Sequence, residues 1–327
     1  MSKTDPSSGR GRQAKKPTEI PKRGWIDIAK RVKDQITIDH IPIVAAGIAF
    51  YFFLAIFPAL AAVISVYGLV VEPAQVASQI ASLAAGLPQN AQEMISGFGE
   101  QLTGKSGGQL GWGVALSILV SLWSANQGTK AVFEGLNIAY DEKDNRSFIQ
   151  RNAITLLATL LALLTGIVAM ALIAVFPAIT GMLGLPEGIT TLINYLRWPL
   201  LAIIVMAFLA WIYKVAPNRD SPKIRWVTAG TVVATLLWLL GSMLFSLYVD
   251  NFGKFDNTYG SFAAIVVLML WFFLTAFIIL LGGEINSEIE HQTATDTTVG
   301  PDEPMGQRDA FHADHVAGEH SKKDFER

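Results

Sequence analysis

The sequence predicts an all-α fold, a polytopic membrane helical bundle with six transmembrane helices. Only 16% of its 327 residues are charged, whereas soluble domains carry about 25%. Val227 to Val249 and Gly260 to Gly283 contain no charged side chain at all, and about 20 such residues cross a ~30 Å hydrocarbon core as a helix. Lipid offers no partner to backbone N–H and C=O groups, which selects helices over open strands. Finally, the cations fall on alternate connecting segments.

Residues 1–20, rich in Ser, Gly, Lys and Arg, are expected as a disordered basic tail. No apolar leader core occurs in 1–23, so the first span is expected to act as the insertion signal. Residues 21–290 form the transmembrane domain. It begins at helical period: Trp25, Ile28, Ala29, Val32 and Ile36 share one face, away from Lys22, Arg23, Lys30, Arg31 and Lys33. This predicts an amphipathic N-terminal interfacial helix on the cytoplasmic surface, with packing against other protein as the alternative.

Span 1 covers 43–71. Pro42 suits a first helical turn, and Pro58 inside the span predicts a kink. The first outer loop, 72–109, carries two short amphipathic helices, one striped by Val76, Ile80, Leu83 and Leu87 and the other by Met94, Phe98 and Leu102. Span 2 covers 110–125 and continues helical to 140, with Asn126, Gln127, Lys130, Glu134 and Asn137 on one side. Lys130 and Glu134 are spaced to pair along the helix. Span 3 covers 152–179, a second outer loop 181–195, span 4 198–215, span 5 227–249 and span 6 260–283. One or two more helical turns follow through Glu284-Ile285-Asn286-Ser287-Glu288. Residues 291–327 are expected as a disordered cytoplasmic tail.

Orientation follows the cations. Lys15, Lys16, Lys22, Arg23, Lys30, Arg31, Lys33, Lys143, Arg146, Arg151, Lys214, Arg219, Lys223 and Arg225 fall on one set of segments; only Lys105, Arg197 and Lys254 fall on the other. Both termini are therefore expected in the cytoplasm.

Ionisable groups at membrane depth are costly and turn toward a bundle interior or a wet cavity. Tyr51, Asn126, Lys130, Glu134, Asn137, Tyr248 and Glu284 are the candidates for a substrate path or cavity, with Asp250, Asp256 and Tyr259 on the last outer loop. The plainer readings are an interfacial Lys130–Glu134 pair, with Lys130 snorkelling, and turn roles for the aspartates. Glu284 opposes the macrodipole of its helix, so an ionic partner is expected, Arg151 or Lys214. His312, Asp314, His315 and His320 are metal-ligand types, but a tail without a supporting shell is a poor site. No metal or cofactor is expected. Cys is absent, excluding thiolate chemistry, and no P-loop, Gly-x-Ser-x-Gly, His-Glu-x-x-His or Rossmann fingerprint occurs. No catalytic residue is assigned and no enzyme is expected.

One set of short motifs adds a comparison. Ala45-Ala46-Gly47-Ile48-Ala49-Phe50-Tyr51-Phe52-Phe53-Leu54-Ala55-Ile56-Phe57-Pro58 lies in span 1, and Leu122-Trp123-Ser124-Ala125 leads to Leu136-Asn137-Ile138-Ala139-Tyr140. Tyr213-Lys214-Val215-Ala216-Pro217-Asn218-Arg219 ends span 4, and Phe245-Ser246-Leu247-Tyr248 closes span 5. Asn251-Phe252-Gly253, Thr258-Tyr259-Gly260 and Gly283-Glu284-Ile285-Asn286-Ser287-Glu288 follow. In this order, over about residues 25–290, the chain resembles the YihY/virulence factor BrkB family, formerly labelled ribonuclease BN. It departs at Thr228-Ala229-Gly230, where relatives often place Pro-Gly-Ala. The resemblance implies a multi-pass protein of the bacterial cytoplasmic (inner) membrane that transports or flips a lipid-like or other amphiphilic envelope substrate. Membrane lipids would be its partners, and no nucleic acid. The alternative is a non-transporting scaffold or envelope-assembly partner. A ribonuclease is disfavoured, because the cations follow the inner loops rather than a phosphate track and His40 is the only histidine outside the C-terminal region.

Overall fold

A computed structural model describes residues 8–70, 108–172, 186–252 and 261–317. Its helices are α1 (Lys22–Ile38), α2 (Ile41–Val70), α3 (Gly108–Ala139), α4 (Phe148–Met170), α5 (Glu187–Val215), α6 (Ile224–Phe252), α7 (Ser261–Glu290) and the short α8 (Phe311–Asp314). Among the described residues, β pairing is confined to one isolated bridge between Pro222 and Thr298.

The long helices reverse the usual distribution of polarity. Phe148 is 82% exposed and Ile149 78%, while Glu284, Asn286 and Glu290 are each at 0%. A water-soluble helix does the opposite. Four stretches among the described residues are long and apolar enough to cross a membrane: Phe148–Ala169, Gly188–Val215, Ile224–Val249 and Ile265–Glu290. A fifth arises if Lys22–Ile38 and Ile41–Ile56, bent by 61°, form one span. This is fewer than the six expected. The expected spans 43–71 and 110–125 fall on α2 and α3, where residues 71–107 between them lie outside the described residues, as do the first outer loop's two amphipathic stripes.

Local chemistry sets several helix ends. Ser147 and Gln150 form a reciprocal capping box at the start of α4, satisfying two otherwise orphaned N–H groups. At the end of α5 the Arg146 guanidinium donates to the carbonyls of Val215, Ala216 and Pro217 at 2.9, 3.0 and 2.9 Å, placing a cation where carbonyls and dipole both favour one. α5 also starts earlier than expected. Residues 187–195, read as loop, are helical because the Pro186 carbonyl accepts from the N–H groups of Ile189 and Thr190 at 2.9 and 3.1 Å, which nucleates the first turn. Thr155, Thr159, Thr231 and Thr235 are buried, each hydroxyl donating to the carbonyl four residues earlier; such self-satisfaction lets a hydroxyl sit in an apolar helix.

Three expectations are corrected. Residues 8–20 are ordered rather than a loose tail: Ala14 and Ile20 bury in a cluster with Ile28, Val32, Trp226 and Ile289. The same cluster covers Ile28 and Val32 of α1 with protein rather than lipid, although Trp25 and Ile26 remain exposed. Residues 291–317 also fold back. Ala294 N–H donates to the Arg12 carbonyl at 2.8 Å, Lys223 N–H to the Thr297 carbonyl at 2.7 Å and Val299 N–H to the Ser221 carbonyl at 2.9 Å. Arg308, 4% exposed, donates to the Ala294, Glu303 and Ala313 carbonyls. Polar composition alone suggested disorder; these backbone and guanidinium bonds supply the order that an apolar core normally does.

The chain forms two compact units. One comprises residues 1–44, 132–239 and 277–327; the other comprises 45–131 and 240–276. In the second, Phe52 meets Phe272 edge-on at 5.7 Å and Phe245 lies 5.1 Å from Trp271. The polar core belongs to the first.

Candidate functional site

Seven consecutive residues at the end of α7, Glu284 to Glu290, supply the centre of the site. Glu284, Asn286, Ser287, Glu288 and Glu290 are all buried. A helix this polar on several faces must meet partners from several directions, because a buried charge without one is costly. Those partners arrive from α1, the turn after α3, the segment after α5, and the C-terminal strap.

Glu290 pairs with Arg219 at 2.7 Å, with the two side chains 0% and 1% exposed. The Thr297 hydroxyl also donates to Glu290, at 2.8 Å, and the Arg219 guanidinium lies 5.5 Å from the Tyr140 ring. Glu288 accepts from the Arg31 guanidinium, which also reaches Gln292 at 2.8 Å. Asn286 accepts from the Gly230 N–H at 2.7 Å. Tyr213 donates to the Ile279 carbonyl at 2.9 Å. Asn137 accepts from the Asn218 N–H at 2.8 Å.

His312 of α8 bridges the strap to this core. Its Nδ1 meets Ser287 Oγ and its Nε2 lies 2.9 Å from Asp141. Its ring stacks on His291, centroids 4.7 Å apart and planes within 2°. Burial disfavours the His312 imidazolium, but the hydrogen bond to Asp141 and the charge of Glu288 outweigh it, so its pKa stands above the ordinary value. Burial pushes His291 the other way, below the ordinary value. Ser287, His312 and Asp141 line up in the order of a catalytic triad, but Ser287 and His312 are 0% and 1% exposed, out of reach of a substrate.

Glu284 faces Asp39, the residue that ends α1. Among the described residues, both Glu284 oxygens and Asp39 Oδ2 are buried with no hydrogen-bond donor directed at them, and the two carboxyls are neighbours. The expected ionic partner for Glu284, Arg151 or Lys214, is corrected on this point. Arg151 instead pairs with Glu134 at 2.7 Å and with Asp144 at 3.4 Å.

The sequence-derived candidates divide accordingly. Glu134, Asn137 and Glu284 belong to the first unit, and Tyr51, Asn126, Lys130 and Tyr248 to the second. Asn126 and Asn137 are buried, whereas Tyr51 and Tyr248 are 42% and 40% exposed. Glu134 is 56% exposed and bonded to Arg151, so it lies at an edge of the buried core. The side chains of Pro58 and Asp250 lie outside the described residues, as do Asp256 and Tyr259 entirely. Asp39, Asp141, Arg219, Glu290 and His312 were not singled out by sequence. Glu290 was legible in principle, being the third acid within seven positions of one helix. His312 was not, because nothing local to residues 291–317 announces a partner on α3.

The sequence profile of the family described as virulence factor BrkB matches residues 32–306. The chain belongs to the virulence factor BrkB family. A member of similar sequence is the ribonuclease-like protein YfkH of Bacillus subtilis (strain 168), 32% identical over 249 residues that cover 74% of this chain and 88% of that protein. The UPF0761 membrane protein IL2447 of Idiomarina loihiensis is 31% identical over 104 residues, 32% of this chain and 36% of its own. The UPF0761 membrane protein VP0125 of Vibrio parahaemolyticus is 34% identical over 98 residues, 30% and 31%. The chain thus spans most of YfkH but about a third of the two UPF0761 proteins. No solved structure matches the chain. The BrkB assignment places the chain among membrane proteins, in agreement with its apolar helices.

Proposed function

We propose that this BrkB-family protein is a six-span protein of the bacterial cytoplasmic membrane, both termini cytoplasmic, that moves a lipid-like or other amphiphilic envelope substrate. The observation that carries this reading is the gathering of ionisable and amide side chains, Asp39, Asn137, Arg219, Glu284, Glu288 and Glu290, at the end of helices whose outer surfaces are apolar. Ionisable groups in such helices cost several kcal/mol on simple transfer grounds, a cost that selection retains where a polar headgroup or ion must be handled. Membrane lipids are its partners in this reading. No cofactor and no catalytic group is assigned, and nucleic acid is not a substrate, so the "ribonuclease-like" part of the YfkH name is not carried over.

A second reading, a scaffold or envelope-assembly partner, draws support from the closure of that core. Arg219–Glu290 is buried and residues 291–317 strap across it, as in a rigid docking platform. Reconstitution separates the two. Liposomes holding the wild-type chain should transfer labelled phospholipid or lipid-anchor analogues between leaflets faster than empty liposomes, and Glu284→Ala should lower that rate by about tenfold. Rates equal to those of empty liposomes across a broad panel would leave the scaffold.

A further inference from the structure

The Asp39–Glu284 pair belongs to the polar core on which the proposed function rests, and neither reading assigns it a ligand of its own. Asp39 closes α1, its N–H donating to the Gln35 carbonyl at 2.8 Å, and His40 follows with a φ of 51°, so the chain turns there before α2 begins. Opposite stands Glu284 on α7, 0% exposed. The charged and titratable groups around the pair are Glu288 one turn along α7, Asp141 after α3 and His312 of α8. Arg31 of α1, the nearest guanidinium on that helix, is engaged by Glu288 and Gln292, and His312 by Ser287 and Asp141. Among the described residues, no donor is directed at Glu284 Oε1, Glu284 Oε2 or Asp39 Oδ2. Two carboxylates cannot remain in contact at a dry site when both are ionised; with one proton they form a strong hydrogen bond.

We propose that Asp39 and Glu284 form a proton-binding site, in which one proton shared by the two carboxyls holds the corner between α1 and α2 against α7. The ligand is the proton itself, and the site is assembled from two elements distant in sequence. Burial pushes Asp39 up to about 6 from its ordinary 3.8, so a second proton leaves the pair as pH rises through that range while the shared one stays. The sign follows from linkage. A raised value means that the packed corner binds protons more tightly than the unpacked one, so packing is complete in acid and weakens as pH rises.

Infrared difference spectroscopy on the full chain in lipid nanodiscs tests this. Near neutral pH the wild type should show the C=O stretch of a protonated carboxyl, and Glu284→Gln should lack it. Hydrogen exchange supplies the second readout. In the wild type, α1 should lose protection by about tenfold or more once the pH is high enough to abolish the band. Glu284→Gln, whose amide replaces the shared proton, should keep α1 protected throughout. If that variant does not fold, the wild-type titration decides alone: band and α1 protection must disappear together. A wild type without the band near neutral pH, a band undiminished in Glu284→Gln, or α1 protection indifferent to the band would each overturn the proposal.

Discussion

Arg219 and Glu290 show how much a single pair can matter in this molecule. Both are withdrawn from solvent, at 1% and 0% exposure, so neither charge can be re-solvated when the other is removed. Breaking a buried pair from one side costs about 3–5 kcal/mol, whereas replacing both with apolar residues of similar volume can be neutral. Glu290→Ala should therefore lower stability by roughly that amount in denaturant titration, and the double variant Arg219→Met with Glu290→Leu should recover most of it. His312 carries a pH-dependent contribution of known sign. Its folded pKa stands above the ordinary 6.5, so its stabilisation is complete below that pH and is lost as pH rises through the folded value. A fluorescent label at Val299→Cys, an exposed strap position in a chain without other thiols, should become more mobile as pH rises through the folded value of His312. With His312→Ala it should be mobile throughout. These roles were only partly readable beforehand. Glu284 was identifiable because an acid at that point on an apolar helix is costly wherever it points. Its partner was not, because Asp39 looks like an ordinary residue in a polar turn, and a carboxyl–carboxyl contact is the last pairing that charge rules would select.

Helix packing in the first unit depends on glycines that admit a neighbouring backbone. A Cβ on Gly230 of α6 would stand 2.1 Å from the Gly282 carbonyl oxygen of α7, and one on Gly282 would stand 2.1 Å from the Tyr213 hydroxyl of α5. Small residues allow this approach in membrane helices, where packing rather than water drives association. Gly230→Ala should cost about 1–3 kcal/mol by overpacking, and it should also disturb the N–H bond to Asn286. At the start of α4, Ser147→Ala should cost about 1 kcal/mol through loss of the capping box, measured by the same titration. The existence of the apolar helices was legible from charge-free length, which lipid imposes directly. Their ends were less so. α5 gains residues 187–195 through a Pro186 carbonyl, which no apolar pattern encodes, whereas the continuation of α7 past its apolar run was expected, and Glu288 and Glu290 there find Arg31 and Arg219 on other elements.

Among the described residues of the first unit, acids, amides and the guanidiniums of Arg219 and Arg308 are buried while large apolar side chains stay exposed, the arrangement expected when the surrounding solvent is lipid. In the proposed threading, the cation distribution puts the polar core and the strap on the cytoplasmic side. The tails escaped the sequence reading because a polar, Gly- and Thr-rich composition is shared by disordered segments and by segments ordered through backbone bonds. Side-specific labelling decides the threading. Single cysteines at Lys33, Lys105 and Asp302 should be offered a membrane-impermeant thiol reagent in intact spheroplasts and in inverted vesicles. Six spans predict that positions 33 and 302 react only in inverted vesicles and position 105 only in spheroplasts. Labelling of 33 and 302 from opposite faces, or of 105 from the same face as both, would contradict it.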